Sequence, residues 1–359
     1  MSKSLKVLIL GASYGSLLGT KICLAGHDVT LVCLPAEANE INKSGTLVRL
    51  PIRGRDGFVE TRSTLAPGTL DAAVPDEVDP AAYDLVCLAM QEPQYRAPEI
   101  RSLLGRVGEA KRPVMSIMNM PPLPFLSRIP GLDADALKSC YTDPSVWDGI
   151  DPALMTLASP DPQAFRPPEE PVNVLQVALP TNFKVATFES AEATEILRRL
   201  ETDIDAIRHD DGEGAMIPLP VKLRVHDSVF VPLAKWSMLL TGNYRCVTSG
   251  EARPICEAVH DDVELSGTVY NWVSSICQQL GANPEDLVPF EKYASAAKGL
   301  SKPSSAARAL YAGATAIERV DKLVSLIADT IGEQNATVKQ TVALVDGRLE
   351  ANKVAQTDA

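Results

Sequence analysis

The chain has 359 residues, 45% hydrophobic and 22% charged, a length that suits about two domains of roughly 150 residues with a substantial core. A formal net charge of −12 and a pI near 4.9 argue against nucleic acid or an anionic membrane surface as partner, since both call for a basic face; small molecules are the expected ligands. No stretch approaches the ~18 consecutive apolar residues of a membrane span, and the first residues enter a strand before a signal-peptide core would fit, so a cytoplasmic protein with no membrane partner is expected.

The opening reads as a βαβ unit. Lys6–Leu10 has the apolar run of a buried strand, Ser16–Ala25 reads as a helix closed by Gly26, and residues 27–32 supply a second strand. Further strands are expected at Thr46–Leu50, Phe58–Thr61, Asp84–Met90 and Pro113–Met118. Pro121 to Pro171 is rich in Pro, Asp and Ser and reads as turns, with short helices near Ala134–Cys140 and Pro152–Leu157. Strands return at Val172–Leu179 and Lys184–Phe188, then an amphipathic helix at Glu192–Ile207 and a last strand near Ile217–Leu223.

Beyond Asp227 the periodicity is helical. Val229–Thr241, Asp261–Leu280, Ser304–Ala312, Thr315–Ile331 and Val338–Leu349 carry apolar residues at i, i+3, i+4 spacing, and Glu350–Ala359 reads as a frayed tail. The expected organisation is an α/β Rossmann-like domain over residues 1–225, with a Pro/Asp-rich insertion at about 121–171, an all-α domain over 226–350 and a tail at 351–359. The seven cysteines are dispersed and no His or Cys pair has metal-ligand spacing, so buried reduced thiols and no metal are expected.

The stretch Gly11-Ala12-Ser13-Tyr14-Gly15 stands where a dinucleotide fingerprint belongs, yet it is one residue short and lacks the middle glycine. Ser13 can compensate with its hydroxyl, and the helix N-terminus offers free N–H groups. Equally, Gly11 can serve a turn while Gly15 and Gly19 allow close strand–helix packing. Tyr14 on the loop tip can stack on a ring or merely cap the turn.

The run from Asp227 to Asn243, with Lys235 eight residues after the Asp and eight before the Asn, resembles the ketopantoate reductase family. Gly15–Gly19, Ala25–Val32, Met118-Asn119, Pro303-Ser304 and Thr315–Glu318 agree with the family's motifs in order. The resemblance implies a second domain of the 6-phosphogluconate dehydrogenase C-terminal type, NADP or NAD as cofactor, and a homodimer. It implies catalytic roles for Lys235, Asn119 and Asn243. Cofactor contacts fall at Gly11, Ser13, Tyr14, Gly15 and Gln91, and substrate contacts at Leu239, Ser304 and Ala316.

Read from the residues alone, 100° per residue places Lys235, Leu239 and Asn243 on one helical face. A Lys on an otherwise apolar face has its pKa lowered and can give a proton to a carbonyl or imine; a snorkelling Lys and a capping Asn are the alternative. The departures from the family are informative. Its substrate-holding Glu falls at Ala316, and Glu318, two helical residues on, is expected to face away; a polar residue has become Leu239. The substrate is therefore expected not to be ketopantoate, and to be bulkier or less polar. The family's 2′-phosphate readers fall at Leu34 and Gln91, and Glu37 is the nearest acidic residue for a ribose. These changes leave open a redox-neutral isomerase, lyase or hydrolase without nicotinamide, or a non-catalytic binding protein.

Overall fold

A computed structural model describes residues 3–211 and 214–357. They divide into two compact units: residues up to Met90, Gln94–Phe125 and Ser145–Asp227 form one, while Gln91–Pro93, Leu126–Pro144 and the residues from Ser228 onward form the other.

The first unit is α/β. Its elements in chain order are β1 (Lys6–Leu10), α1 (Ala12–Leu24), β2 (Asp28–Val32), α2 (Pro35–Ser44), β3 (Leu47–Pro51), β4 (Phe58–Arg62), β5 (Leu70–Ala73), β6 (Leu85–Leu88), α3 (Pro98–Glu109), β7 (Val114–Ile117), the single turn α4 (Leu123–Leu126), β8 (Met155–Ser159), β9 (Gln163–Phe165), β10 (Val174–Leu179), β11 (Phe183–Ala186), α5 (Ala191–Asp205), β12 (Arg208–Asp210), β13 (Met216–Pro218) and β14 (Leu223–His226). The main sheet has the order β14-β11-β8-β7-β6-β1-β2-β5. From β5 to β8 every pairing is parallel. Counted along the chain, those six strands lie in the order 3-2-1-4-5-6 of the doubly wound dinucleotide-binding fold, whose switch point falls between β1 and β6. A second sheet, β4-β3-β10-β9, carries Val48, Leu50, Leu175 and Val177 into the same core as Leu17, Leu18 and Ile22 of α1. Contacts with both sheets bury ten of α1's thirteen residues.

Three expectations are corrected here. The segment 121–171 is not wholly an insertion: Leu126–Pro144 goes with the second unit, but Met155–Ser159, expected to be partly helical, is the sixth parallel strand, because five consecutive buried residues fill the open edge of β7. A short apolar run does not by itself distinguish strand from helix. The last strand is two, β13 and β14, separated by Val221 at φ 60°. Helix α1 begins at Ala12 rather than Ser16, with Gly11 as its N-cap.

The second unit is helical, with α6 (Lys235–Met238), α7 (Ile255–His260), α8 (Val263–Gln279), α9 (Phe290–Ala297), α10 (Ser305–Tyr311), α11 (Val320–Thr330) and α12 (Ala336–Thr357). The expected frayed tail is instead the last part of α12. Asn352 Nδ2 donates to the Leu310 and Ala314 carbonyls at 2.8 Å each, closing the end of α10, and Gln356 donates to the Gly313 carbonyl. Thr315–Arg319, expected in a helix, precedes α11 as irregular chain. There Arg319 grips the fully buried Asp321 through two 3.0 Å bonds and reaches Asp346 of α12. No helix among the described residues is long and apolar enough to cross a membrane.

Lys21, in the last turn of α1, is 2% exposed, and its Nζ donates to the Pro220 carbonyl at 3.0 Å. Burial, reinforced by the nearby Lys222 and opposed by Asp205, lowers its pKa from 10.5 to about 7. The unfolded chain therefore binds more protons than the native one between about pH 7 and 10.5. In that window stability rises with pH. Urea titrations of the wild type should show this rise, and Lys21→Met should flatten it while raising stability at pH 7.

The glycines of α1 give a second test. A Cβ on Gly15 would lie 2.9 Å from Ile9 Cγ2, whereas one on Gly105 in α3 would meet nothing within 4 Å. Gly15→Ala should cost about 1–3 kcal/mol by overpacking. Gly105→Ala should gain about 0.5–1 kcal/mol, both read by chemical denaturation.

Candidate functional site

In the first unit the candidate residues gather at the carboxyl ends of the parallel strands. Leu10 of β1 pairs with Leu88 of β6, and Leu88 with Ser116 of β7, so Gly11, Ala89 and Met118-Asn119 leave the sheet along one edge. Gly11 has φ 102°, and its N–H donates to the Val32 carbonyl at 2.8 Å. A Cβ there would sit 2.6 Å from Met90 Cγ and 2.9 Å from the Ala89 carbonyl oxygen. Only glycine makes this turn without strain. No side chain caps α1 and no acidic residue lies in its first turn, so its N-terminal N–H groups and positive dipole end are offered to an anion beside the exposed Ser13.

Gly15 and Gly19 have a different task. Cβ atoms there would meet Ile9, Val29 and Leu31, so both glycines set the approach of α1 to the sheet. Tyr14 is not a loose loop tip: its ring packs edge-on to Phe183 at 6.4 Å and its hydroxyl donates to the Pro162 carbonyl. That bond ties the start of α1 to the turn between β8 and β9.

Asn119, two residues beyond β7, is half-buried. At the end of β2 the Leu34 side chain is exposed and carries no charge. Glu37, the acidic candidate, is held by Arg166, which the sequence reading did not single out; the two lie 129 residues apart and share no local pattern. Gln91 is exposed and goes with the second unit. The next residue, Glu92, is buried and accepts from both the N–H and the hydroxyl of Thr142 at 2.9 Å, fixing residues 91–93 to the 126–144 segment.

In the second unit Lys235 opens α6, but the helix does not continue in α form. Leu239–Asn243 is a π turn, with the Tyr244 N–H bonded to the Leu239 carbonyl five residues back. Val231, Lys235, Met238 and Asn243 are the half-buried positions of this run, at steps of four, three and five. The extra residue in the π turn brings Asn243 onto the stripe of Lys235 and Met238 and turns Leu239 into the core. The expectation that Lys235, Leu239 and Asn243 share one regular helical face is corrected accordingly; π turns recur at functional sites.

Separated segments converge on that turn. Ser304 caps α10 by accepting from the Ala307 N–H at 3.1 Å and donates its hydroxyl to the Asn243 carbonyl at 2.7 Å. Tyr244 donates to the Glu318 carbonyl at 2.5 Å and accepts from the Val320 N–H at 3.0 Å, bracing the chain that carries the half-buried Ala316. Since that chain is irregular, the helical argument for turning Glu318 away from Ala316 does not hold; Glu318 is buried. Asp227, the first residue of the Lys235 motif, lies in the first unit with its exposed carboxylate paired to Arg198 at 2.7 Å.

All seven cysteines are free thiols, and burial pushes several of them up, Cys23 to about 11 and Cys33 to about 12. Among the described residues no group of three or more His, Cys, Asp or Glu side chains is placed to hold a metal ion.

The two units, a doubly wound sheet and a helical assembly, define a Rossmann-like fold with an all-α second part. It is the fold of the ketopantoate reductases. The chain is similar to 2-dehydropantoate 2-reductase from Methylococcus capsulatus, at 11% identity over 97% of this chain and 98% of that one, with a TM-score of 0.66. It is similar to a ketopantoate reductase from Ralstonia eutropha JMP134, at 15% identity over 97% and 100% and a TM-score of 0.61. It is also similar to D-mandelate dehydrogenase solved with NADH and anilino(oxo)acetate, at 12% identity over 97% and 100% and a TM-score of 0.62. No family model matches the sequence, and no curated protein matches it at a significant level.

Ser304→Ala removes an N-cap and leaves the Asn243 carbonyl without its hydroxyl donor. A loss of about 1–2 kcal/mol in denaturant titrations is expected, with Ser304→Thr retaining most of the stability.

Proposed function

We propose that this protein is an NAD(P)-dependent oxidoreductase acting on a carbonyl, an imine or the corresponding alcohol other than ketopantoate. The observation that carries the reading is the uncapped N-terminus of α1 behind the Gly11 turn, at the switch point of a 3-2-1-4-5-6 sheet. The residues there suit a dinucleotide. Gly11 removes the Cβ that would obstruct the turn, and the N–H groups of α1 and the Ser13 hydroxyl are the donors for a pyrophosphate.

A bound nicotinamide would supply the hydride to a carbonyl or imine carbon, or take it from the alcohol carbon. The chain's own part is proton transfer and positioning. Lys235 holds a proton on Nζ and moves it to the substrate oxygen or nitrogen in reduction; in oxidation it takes the proton from the alcohol. Asn243, brought onto the Lys235 stripe by the π turn, offers an amide to the substrate's polar groups. Asn119 at the β7 end orients the ring that carries the hydride. The methyl side chain of the half-buried Ala316, where the resemblance places a substrate-holding Glu, supports a substrate less polar than ketopantoate. The D-mandelate dehydrogenase structure solved with NADH and anilino(oxo)acetate, both mandelate and this ligand carrying an aryl group near a carboxylate, suggests aryl 2-oxo acids as the first class to assay.

The test follows the absorbance of reduced nicotinamide across a panel of 2-oxo acids that includes ketopantoate. Lys235→Ala should lower kcat by about 10²- to 10⁴-fold while leaving the cofactor Kd unchanged. Undiminished turnover by that variant would remove Lys235 from the mechanism. An intact fold that binds neither NADH nor NADPH would favour redox-neutral chemistry, the reading to which the uncharged Leu34 and Gln91 point.

A further inference from the structure

Two oppositely charged side chains from distant segments meet at the end of β2. Arg166, one residue beyond β9, donates from Nη1 to Glu37 Oε1, and Glu37 Oε2 accepts from the Leu34 N–H at 3.4 Å. The pair is mostly screened from water, with the Arg166 side chain 25% and the Glu37 side chain 17% exposed. Arg166 Nη2 is buried and has no hydrogen-bond partner among the described residues. A desolvated guanidinium nitrogen without an acceptor is costly, and a ligand oxygen placed there relieves that cost.

The end of the second strand is where a dinucleotide-binding sheet reads the adenosine ribose: an acidic residue takes the 2′-hydroxyl of NAD, and an Arg accommodates the 2′-phosphate of NADP. Here both charges are present and bonded to each other, so the pair is neutral. A ribose diol matches it, since a hydroxyl can accept from Nη2 while donating to the Glu37 carboxylate. A 2′-phosphate does not. It carries about −1.5 to −2 charge and oxygens that act as acceptors at neutral pH, so it would meet the Glu37 carboxylate as a like charge unless Arg166 broke away. Neither Leu34 nor Gln91 offers a compensating cation.

Resting on the oxidoreductase reading above, we infer that Glu37 and Arg166 form the cofactor-discriminating element of this protein and that it selects NAD over NADP by reading an unphosphorylated ribose. Glu37 accepts from the ribose, and Arg166 both holds Glu37 and donates to a ribose oxygen. Both are specificity determinants and take no part in the proton transfer.

Titration of the full-length protein with NADH and with NADPH, followed by nicotinamide fluorescence, tests this without reference to turnover. The wild type should bind NADH about tenfold or more tightly than NADPH. Glu37→Gln keeps the side chain's size and removes its charge, and should lower the NADH-to-NADPH preference by about tenfold. Arg166→Lys keeps a cation but not the fork, and should weaken NADH binding several-fold without moving the preference towards NADPH. Circular dichroism checks that each variant is folded. NADPH bound as tightly as NADH by the wild type, or a preference unchanged in Glu37→Gln, overturns the inference and leaves the oxidoreductase reading standing. A folded wild type that binds neither cofactor overturns both.

Discussion

Close approach of α1 to the parallel sheet, made possible by Gly15 and Gly19 against Ile9, Val29 and Leu31, is the constraint on which the first unit rests. With the helix drawn down onto β1 and β2, its N-terminus is fixed at the carboxyl ends of the paired strands β1 and β6. The second sheet then closes over its other side. A helix covered on both sides has no solvent face, which is why α1 has little amphipathic character and why Lys21 ends up in the interior rather than in water. Tyr14 and Pro162 complete this enclosure at the N-terminal end of the helix. The glycines that looked like a damaged phosphate fingerprint thus divide into two tasks. Gly11 makes the turn against Ala89 and Met90, while Gly15 and Gly19 serve packing.

In the second unit the decisive local feature is a backbone one. A regular helix from Lys235 would place Leu239 and Asn243 together with it; the π turn advances the chain by one residue, exchanging an apolar side chain for an amide on the half-buried stripe. Such a turn is tolerated because its surroundings satisfy it. Ser304 takes the Asn243 carbonyl, and Tyr244 bridges to the start of α11. Residues flagged as separate motifs therefore act as one hydrogen-bonded support. Ser304, expected to meet a substrate, has its hydroxyl engaged in holding the backbone of Asn243.

Much of this architecture is legible in local pattern. Lys6–Leu10 is an apolar run before a glycine, and the helix and strand that follow are separated by Gly26, which marks the helix's end. The amphipathic periodicity of Ala191–Asp205 marks α5 without reference to any partner. Other elements are not legible because their conformation is set by what they pair with. Leu70–Ala73 has little intrinsic strand preference and is a strand because β2 presents an open edge. Met155–Ser159 is the sixth strand for the same reason at β7. The end of α12 stays helical because Asn352 meets the orphan carbonyls of α10.

The candidate site divides the same way. The sequence by itself determined the glycine turn, the βαβ opening and the Lys235 and Asn243 spacing, because each is a property of residues near one another in the chain. Tertiary structure alone decided that Asn243 is half-buried while Leu239 lies in the core, that Met155–Ser159 extends the sheet beside β7, and that Arg166 meets Glu37 from 129 residues away. Those outcomes depend on hydrogen bonds and charge pairs between distant segments. Local propensity carries no information about a partner that only the folded chain brings within reach.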